Sequence, residues 1–167
     1  MPLVSREAAE ASIPHVFADL YATHSDDNAA LRLRRSIRSH EFDYDGRTLA
    51  LEFPIEDWMT NSQHALHGGM LAMCADLTCG ALARILYGLY PPAVMLSVSF
   101  LRASFCGDSI LVRAHATHLG RNNANVVAEV YSKNTGALLA TATDINFVGG
   151  ASLGAARGEP PESQTAR

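Results

Sequence analysis

Residues 61–89 read NSQHALHGGMLAMCADLTCGALARILYGL. The first part is polar and carries glycine, and from Gly69 onward almost every residue is small or apolar. That pattern describes a loop feeding a helix buried on all its faces rather than along one stripe. Asp76 breaks it. It is the sole carboxylate between Asp57 and Asp108 and lies about two turns into the helix, too deep to cap it or to feel its positive end strongly. A buried acid without a partner is unfavourable, so Asp76 is expected to be paired or kept for chemistry.

The entry to this helix has a chemistry of its own. His67-Gly68-Gly69 places backbone N–H groups that lack an intrahelical acceptor beside residues with no side chain in the way, so an oxygen carrying negative charge can approach them. That is an oxyanion site in outline. Asn61 caps nothing evident in the sequence and is free to donate an amide hydrogen bond, the other reading being a turn asparagine that satisfies its own backbone.

Outside this stretch the hydrophobic period is close to two. Ile37 to Tyr44 and Thr48 to Ile55 read as strands joined at Asp45-Gly46, a dipeptide of tight hairpins. Tyr90-Pro91-Pro92 stops the helix. Strands follow at Ala93 to Leu101, Ile110 to Leu119, Asn125 to Ser132 and Leu138 to Val148, with turns at Gly107-Asp108, Gly120-Arg121-Asn122-Asn123 and Lys133-Asn134-Thr135-Gly136. Two strands, a long helix and four more strands make an α+β chain. Its antiparallel sheet has one candidate to cover its apolar face, the central helix, around which it is expected to wrap.

Before the first strand, Val16, Phe17, Leu20 and Tyr21 suit one helical face, and Asp26, Asp27 and Asn28 offer caps for a second short helix through Leu33. Residues 1–35 are therefore read as an N-terminal helical segment, 36–148 as the folded domain, and 149–167, rich in Gly, Ala and Pro without period, as a disordered tail. Arg32, Arg34, Arg35 and Arg38 read as a solvated basic face, with a phosphate contact as the alternative.

Composition bounds the function. The chain has 167 residues, 48% hydrophobic and 18% charged, with net charge -4, which suits one globular unit and argues against nucleic acid. Apolar runs are broken by Asp76, Arg84 or Gly88 before the roughly 20 residues of a membrane span, so no span is expected. Three cysteines without a CxxC pair, two of them in the helix, read as reduced structural thiols of a cytoplasmic protein, and MPLVSREAAE lacks the apolar core of a secretory signal. His64 and His67, like His115 and His118, are three apart, a spacing that shares a face only on a helix. The first pair lies in a loop and the second in a strand, so no metal site is expected.

Asn61, His67-Gly68-Gly69 and Asp76, nine positions after the histidine, resemble the signature of hotdog-fold acyl-CoA thioesterases of the phenylacetate-degradation type, and the likeness runs from about Ile37 to Val148. The resemblance implies a hotdog fold, an antiparallel sheet wrapped around one long central helix. It also implies a homodimer or dimer of dimers with active sites at the subunit interface. In such enzymes the thioester carbonyl is polarised by the amide matching Gly68 and by the asparagine matching Asn61; His67 itself is read as orienting Asn61 or the loop backbone, the other reading being a histidine that merely closes the helix entry. The carboxylate matching Asp76 comes from the other subunit and activates water or attacks directly. Gly69, Phe100, Arg102 and the turn Gly120, Arg121, Asn122 and Asn123 match substrate-binding positions, with Arg121 available to a phosphate of CoA. No cofactor is implied, because CoA is part of the substrate. Burial is expected to raise the Asp76 carboxyl toward neutrality and make it a better base.

The chain departs from the pattern at Ala93, where many members carry a Ser or Thr that helps place the water; Ser97 is four residues away on the same strand face. This departure carries the alternative of a protein that binds an acyl ligand without hydrolysing it. A third reading is a hotdog hydratase or dehydratase, which pairs a His with a carboxylate but lacks the His-Gly-Gly helix start.

Overall fold

The computed structural model describes residues 3–21 and 29–149. The helical caps proposed at Asp26 to Asn28, and the tail from residue 150 on, lie outside the described residues. The order of elements is α1 (Arg6–Tyr21), α2 (Ala29–Arg35), β1 (Ser39–Asp43), β2 (Thr48–Pro54), a 3-10 turn (Asp57–Met59), α3 (Gly68–Tyr87), β3 (Ala93–Phe100), β4 (Ser109–Leu119), β5 (Asn123–Ser132) and β6 (Leu138–Phe147). The six strands form one sheet in the order β1-β2-β4-β5-β6-β3, with every pairing antiparallel. The sheet curls around α3, which is the hotdog architecture expected from the sequence.

Small side chains make that wrap possible. Ala114, Ala128 and Ala142 stand in one cross-strand row over β4, β5 and β6. They form a trough in which the equally small Ala75, Cys79 and Ala83 of α3 are buried. Larger groups at the ends of the trough, Leu51, Phe53, Val112, Leu82, Ile85 and Leu86, complete a continuous core. At about 1.5–3 kcal/mol per fully buried large apolar side chain, this core is the main source of the stability of the fold.

The helix differs from the expectation of burial on every side. Leu71, Cys74, Thr78, Leu82 and Ile85 are buried, whereas Met73, Asp76, Leu77, Gly80 and Arg84 form a half-buried stripe. The physical reason is width. One helix about 10–12 Å across covers two or three strands spaced about 4.8 Å apart, not six. Accordingly β3, at the sheet edge, is left open: Val94, Met95, Leu96 and Phe100 are all exposed. On the opposite flank α1 packs on α3, burying Ala9, Val16 and Phe17, and the Val4 amide donates to the Leu86 carbonyl at 3.1 Å. By length and hydropathy α3 equals a membrane span, contrary to the reading that charge breaks the run too early, but it is the packed centre of this sheet.

Three local features differ from the sequence reading. The β1–β2 connection spans residues 44–47, and its left-handed residue is Arg47 (φ 53) rather than Gly46. At Gly46 a Cβ would lie 2.3 Å from Asp43 Oδ2, the tip of an exposed side chain that would have to turn aside. Helix α3 ends before the prolines, at Gly88, whose left-handed φ of 67 is the usual solution for closing a helix and whose amide donates to the Arg84 carbonyl. In β4 a bulge between Ala116 and His118 breaks the alternation, so His115 and His118 are both exposed instead of lying on opposite faces.

Candidate functional site

The loop before α3 is tied down by its own side chains. Asn61 Oδ1 accepts the amides of Gln63 (2.9 Å) and Ala65 (3.2 Å), and the Asn61 amide donates to the Ala65 carbonyl at 2.8 Å. The turn reading of Asn61 holds. Its oxygen closes the turn, and no acceptor among the described residues takes the Nδ2 hydrogens. His64 occupies the left-handed region (φ 59) within this turn. The Leu66 amide then donates to the Ser104 carbonyl and the His67 amide to the Met59 carbonyl, both at 2.8 Å, which fixes where the helix starts.

At that start the two glycines are not equivalent. His67 is the N-cap of α3, and its Nδ1 accepts the Gly69 amide at 2.9 Å. The Gly69 amide is thus occupied within the chain. The Gly68 amide has no acceptor among the described residues. A Cβ on Gly68 would lie 3.2 Å from Phe100 Cζ, so the Phe100 ring stands over the residue whose amide is free.

Asp76 lies about 12 Å along the helix from Gly68, at 1.5 Å per residue. It is half buried rather than enclosed, in a groove of about 360 Å³ that Arg34, Met73, Leu77, Gly80 and Arg84 also line. Burial raises its carboxyl above the ordinary aspartate value, and the Arg34 guanidinium draws it back. Arg34 is therefore not part of a plain solvated face. It turns toward the groove, and its buried Nε has no hydrogen-bond partner among the described residues. A larger cleft of about 900 Å³ on the outer face of the sheet, lined by Glu41, Arg113, His115 and Glu129, holds none of the residues expected to act in catalysis or substrate binding.

The turn at Gly120 sits at the far end of α3, where Tyr87 OH donates to the Gly120 carbonyl at 2.9 Å. A Cβ on Gly120 would lie 3.1 Å from the backbone oxygen of Asn123, which favours glycine there. The turn is one residue shorter than expected, since Asn123 already belongs to β5, and the Asn122 carbonyl accepts the amides of Val148 and Gly149. Arg121 is exposed on it. Arg102, after β3, donates from Nη1 to the Leu138 carbonyl at 2.8 Å. A single chain thus brings Asn61, His67, Gly68 and Phe100 together. The Gly120–Asn123 turn stays about a full helix length away, roughly 30 Å.

The sequence reading missed two groups. Asp144 and Asn146 on β6 are fully buried against α3. Burial, the like charge of Asp76 and a smaller opposing effect of Asn146 leave the Asp144 carboxyl raised to about 7. The signal was present in the alternation of Ala140, Ala142, Asp144 and Asn146, which puts two polar side chains on the inward parity of a core strand. Among the described residues no cluster of three or more His, Cys, Asp or Glu has the arrangement of a metal site.

Residues 63–139 match the family model of the thioesterase superfamily. The chain is similar to mouse acyl-coenzyme A thioesterase 13, with 26% identity over 102 residues, 60% of this chain and 73% of that one. A putative thioesterase from Ralstonia eutropha JMP134, described as related to phenylacetic acid degradation, superposes with a TM-score of 0.65 and 29% identity over 80% of this chain and 99% of its own. The PaaI protein of the E. coli phenylacetic acid degradation operon superposes with a TM-score of 0.71 at 20% identity, over 87% of this chain and 96% of its own.

Proposed function

We propose that this chain, whose residues 63–139 match the thioesterase superfamily and which has the hotdog fold, hydrolyses acyl-CoA thioesters to the free acid and CoA with Asp76 as the general base. A relative named as an acyl-coenzyme A thioesterase and the match to the thioesterase superfamily support thioester hydrolysis as the activity. The residue roles rest on one observation above all, the unequal use of the two amides at the start of α3. His67 takes the Gly69 amide, while the Gly68 amide and the Asn61 Nδ2 group keep their hydrogens without an acceptor among the described residues. Two unused donors in one short loop suit an oxygen that gains charge as a tetrahedral intermediate forms.

In this reading the thioester oxygen sits between the Gly68 amide and Asn61 Nδ2. Asp76 takes a proton from water as the water oxygen bonds to the carbonyl carbon. The intermediate collapses, the carbon–sulfur bond breaks, and the proton on Asp76 passes to the departing thiolate, so the enzyme returns to its starting state. The distance from Gly68 to Asp76 along α3 is too long for one chain to do this, so the base is the partner's Asp76 across a twofold contact. The open, apolar β3 edge supports that contact, because a strand whose hydrogen-bonding edge and both faces are exposed is a template for a second copy. In the dimer the distant Gly120–Asn123 turn comes toward the site of the neighbouring subunit, where Arg121 pairs with a CoA phosphate. The buried, unlinked thiols Cys74 and Cys79 suit a cytoplasmic enzyme.

The test is release of free thiol from short, medium, long and aromatic acyl-CoA, by wild type and by Asp76→Asn. The expected result is turnover by wild type and a loss of at least about a hundredfold in the variant with an unchanged melting temperature, the order of effect of removing a general base. Equal, slow release with tight acyl-CoA binding in both proteins would replace this reading with a binding protein. Conversion of an enoyl-CoA without thiol release would replace it with a lyase.

A further inference from the structure

Rows of side chains run across the inner face of the sheet and meet α3. Val112–Val130–Ala140 and Ala114–Ala128–Ala142 are wholly apolar. The next two, Ala116–Val126–Asp144–Leu96 and Leu119–Ala124–Asn146–Ala93, each carry one polar side chain, and both come from β6. Asp144 and Asn146 are 0% exposed. Their four side-chain oxygen and nitrogen atoms find no hydrogen-bond partner of acceptable geometry among the described residues. Native proteins retain few such groups, and those they retain call for a role.

The helix above them shows what that role is. Asp76 of α3 acts on Asp144 as a like charge, and the Cys79 thiol of the same helix is raised by burial and then by both carboxylates. One turn beyond Asp76, Gly80 has no side chain, and Asn146 Oδ1 lies 4.0 Å from where its Cβ would stand, so the amide reaches up beneath the groove that holds Asp76. From α2 the charge is Arg34, which acts on Asp76. The neighbours of Asp144 on β5 and β3 are the uncharged Val126 and Leu96.

We propose that Asp144 is a positioning residue for the hydrolysis, the buried member of a carboxyl pair with Asp76 that holds the pair's shared proton and, on releasing it to solvent, makes Asp76 the stronger base. The inference rests on the role given to Asp76 above. Two carboxyls that feel each other's charge do not ionise independently, and the more deeply buried one keeps the proton longer. The burial of Asp144, complete where Asp76 is partial, makes it that member. Asn146 offers a donor and an acceptor, so it can hold the Asp144 carboxyl in either protonation state. Once Asp144 is ionised its negative charge raises the proton affinity of Asp76, and a more basic carboxylate takes a proton from water faster.

Two measurements on the full chain test this. The first follows the carboxyl carbons by NMR as pH is varied, in wild type and in Asp76→Asn. Asp144 is expected to titrate near neutral pH in wild type and clearly lower in the variant. The second compares kcat/KM for thiol release between wild type and Asp144→Asn. The ratio is expected to rise from about 1 at pH 5.5 to about tenfold at pH 8.5, because the variant mimics the protonated acid and lacks the later gain in basicity. A purely structural Asp144 would change the melting temperature without this pH-dependent ratio, and that result overturns the proposal, as does an Asp144 titration indifferent to Asp76→Asn. Coupled titration in a wild type that releases no thiol would overturn the hydrolase roles, and the positioning role with them, while leaving the carboxyl pair in place.

Discussion

His67 Nδ1 accepts the amide hydrogen of Gly69 at 2.9 Å, and this one bond decides which of two adjacent glycine amides is left for a ligand. Replacing His67 with Ala removes the cap at the cost of about 1 kcal/mol. It also frees the Gly69 amide to compete with that of Gly68. Thermal denaturation is expected to show a few degrees of loss, and kcat for thiol release a fall of about tenfold. Asn at this position restores the cap and is expected to recover the stability first.

Gly68 leaves little room for a side chain under the ring of Phe100, since a Cβ there would lie 3.2 Å from Cζ and the ring would have to shift. Gly68→Ala is expected to displace the ring and the amide with it, lowering kcat/KM by about ten- to a hundredfold, the scale of one lost oxyanion donor. The double variant with Phe100→Leu makes room and is expected to regain part of that loss. Full activity in Gly68→Ala alone would remove this amide from the mechanism.

Two buried carboxyls give opposite pH dependences of stability. Glu52, 6% exposed, is held below the usual carboxylate range chiefly by its hydrogen bond from Lys133, with Ser39 also donating to it. Its contribution is present above the unfolded value of 4.5 and is lost as pH falls through its lower folded value. Asp144 is raised from 3.8 to about 7, so the folded state favours its protonated form and stability falls as pH rises from about 4 to about 7. Asp144→Asn is therefore expected to raise the melting temperature, with a gain that grows across that window and levels off above it. Lys133→Met is expected to lower it by stranding Glu52, and to do so less at pH 4 than at pH 7. Differential scanning calorimetry across pH 4–8 separates the two.

The inner face of β3 extends past the reach of α3 and leaves Leu96 37% and Phe100 57% exposed. Leu96→Lys sets a charge in the middle of that edge, which is expected to shift light-scattering mass toward the monomer and abolish thiol release while leaving the circular dichroism of the fold intact. A dimer that survives this change would place the contact elsewhere on the sheet.

Much of the site was legible in residues 61–89 because local chemistry acts over a few residues. A histidine before two glycines caps a helix and leaves an amide open wherever the helix packs. An aspartate among small apolar residues is raised in pKa by burial, and the direction held at Asp76. Less legible were events that depend on what lies across the sheet. Asp144 was passed over as one more residue of a strand, since its meaning comes from α3, more than sixty positions earlier in the chain. Arg34 was read as part of an exposed cluster because nothing in the sequence says that α2 folds back toward the groove.

By itself the chain of 167 residues determined the alternation of strands, the one long apolar helix between them and the amide-bearing turn that opens it, because periodicity, capping and glycine placement are short-range properties. Tertiary structure alone decided how far the helix covers the sheet, and therefore that Asp76 lies in a half-open groove, that β3 is uncovered, and that a second carboxyl stands beneath the first. Those outcomes follow from the width of a helix against six strands and from the register that sets Asp144 beside Leu96 and Val126. Neither quantity is written in any local stretch of residues.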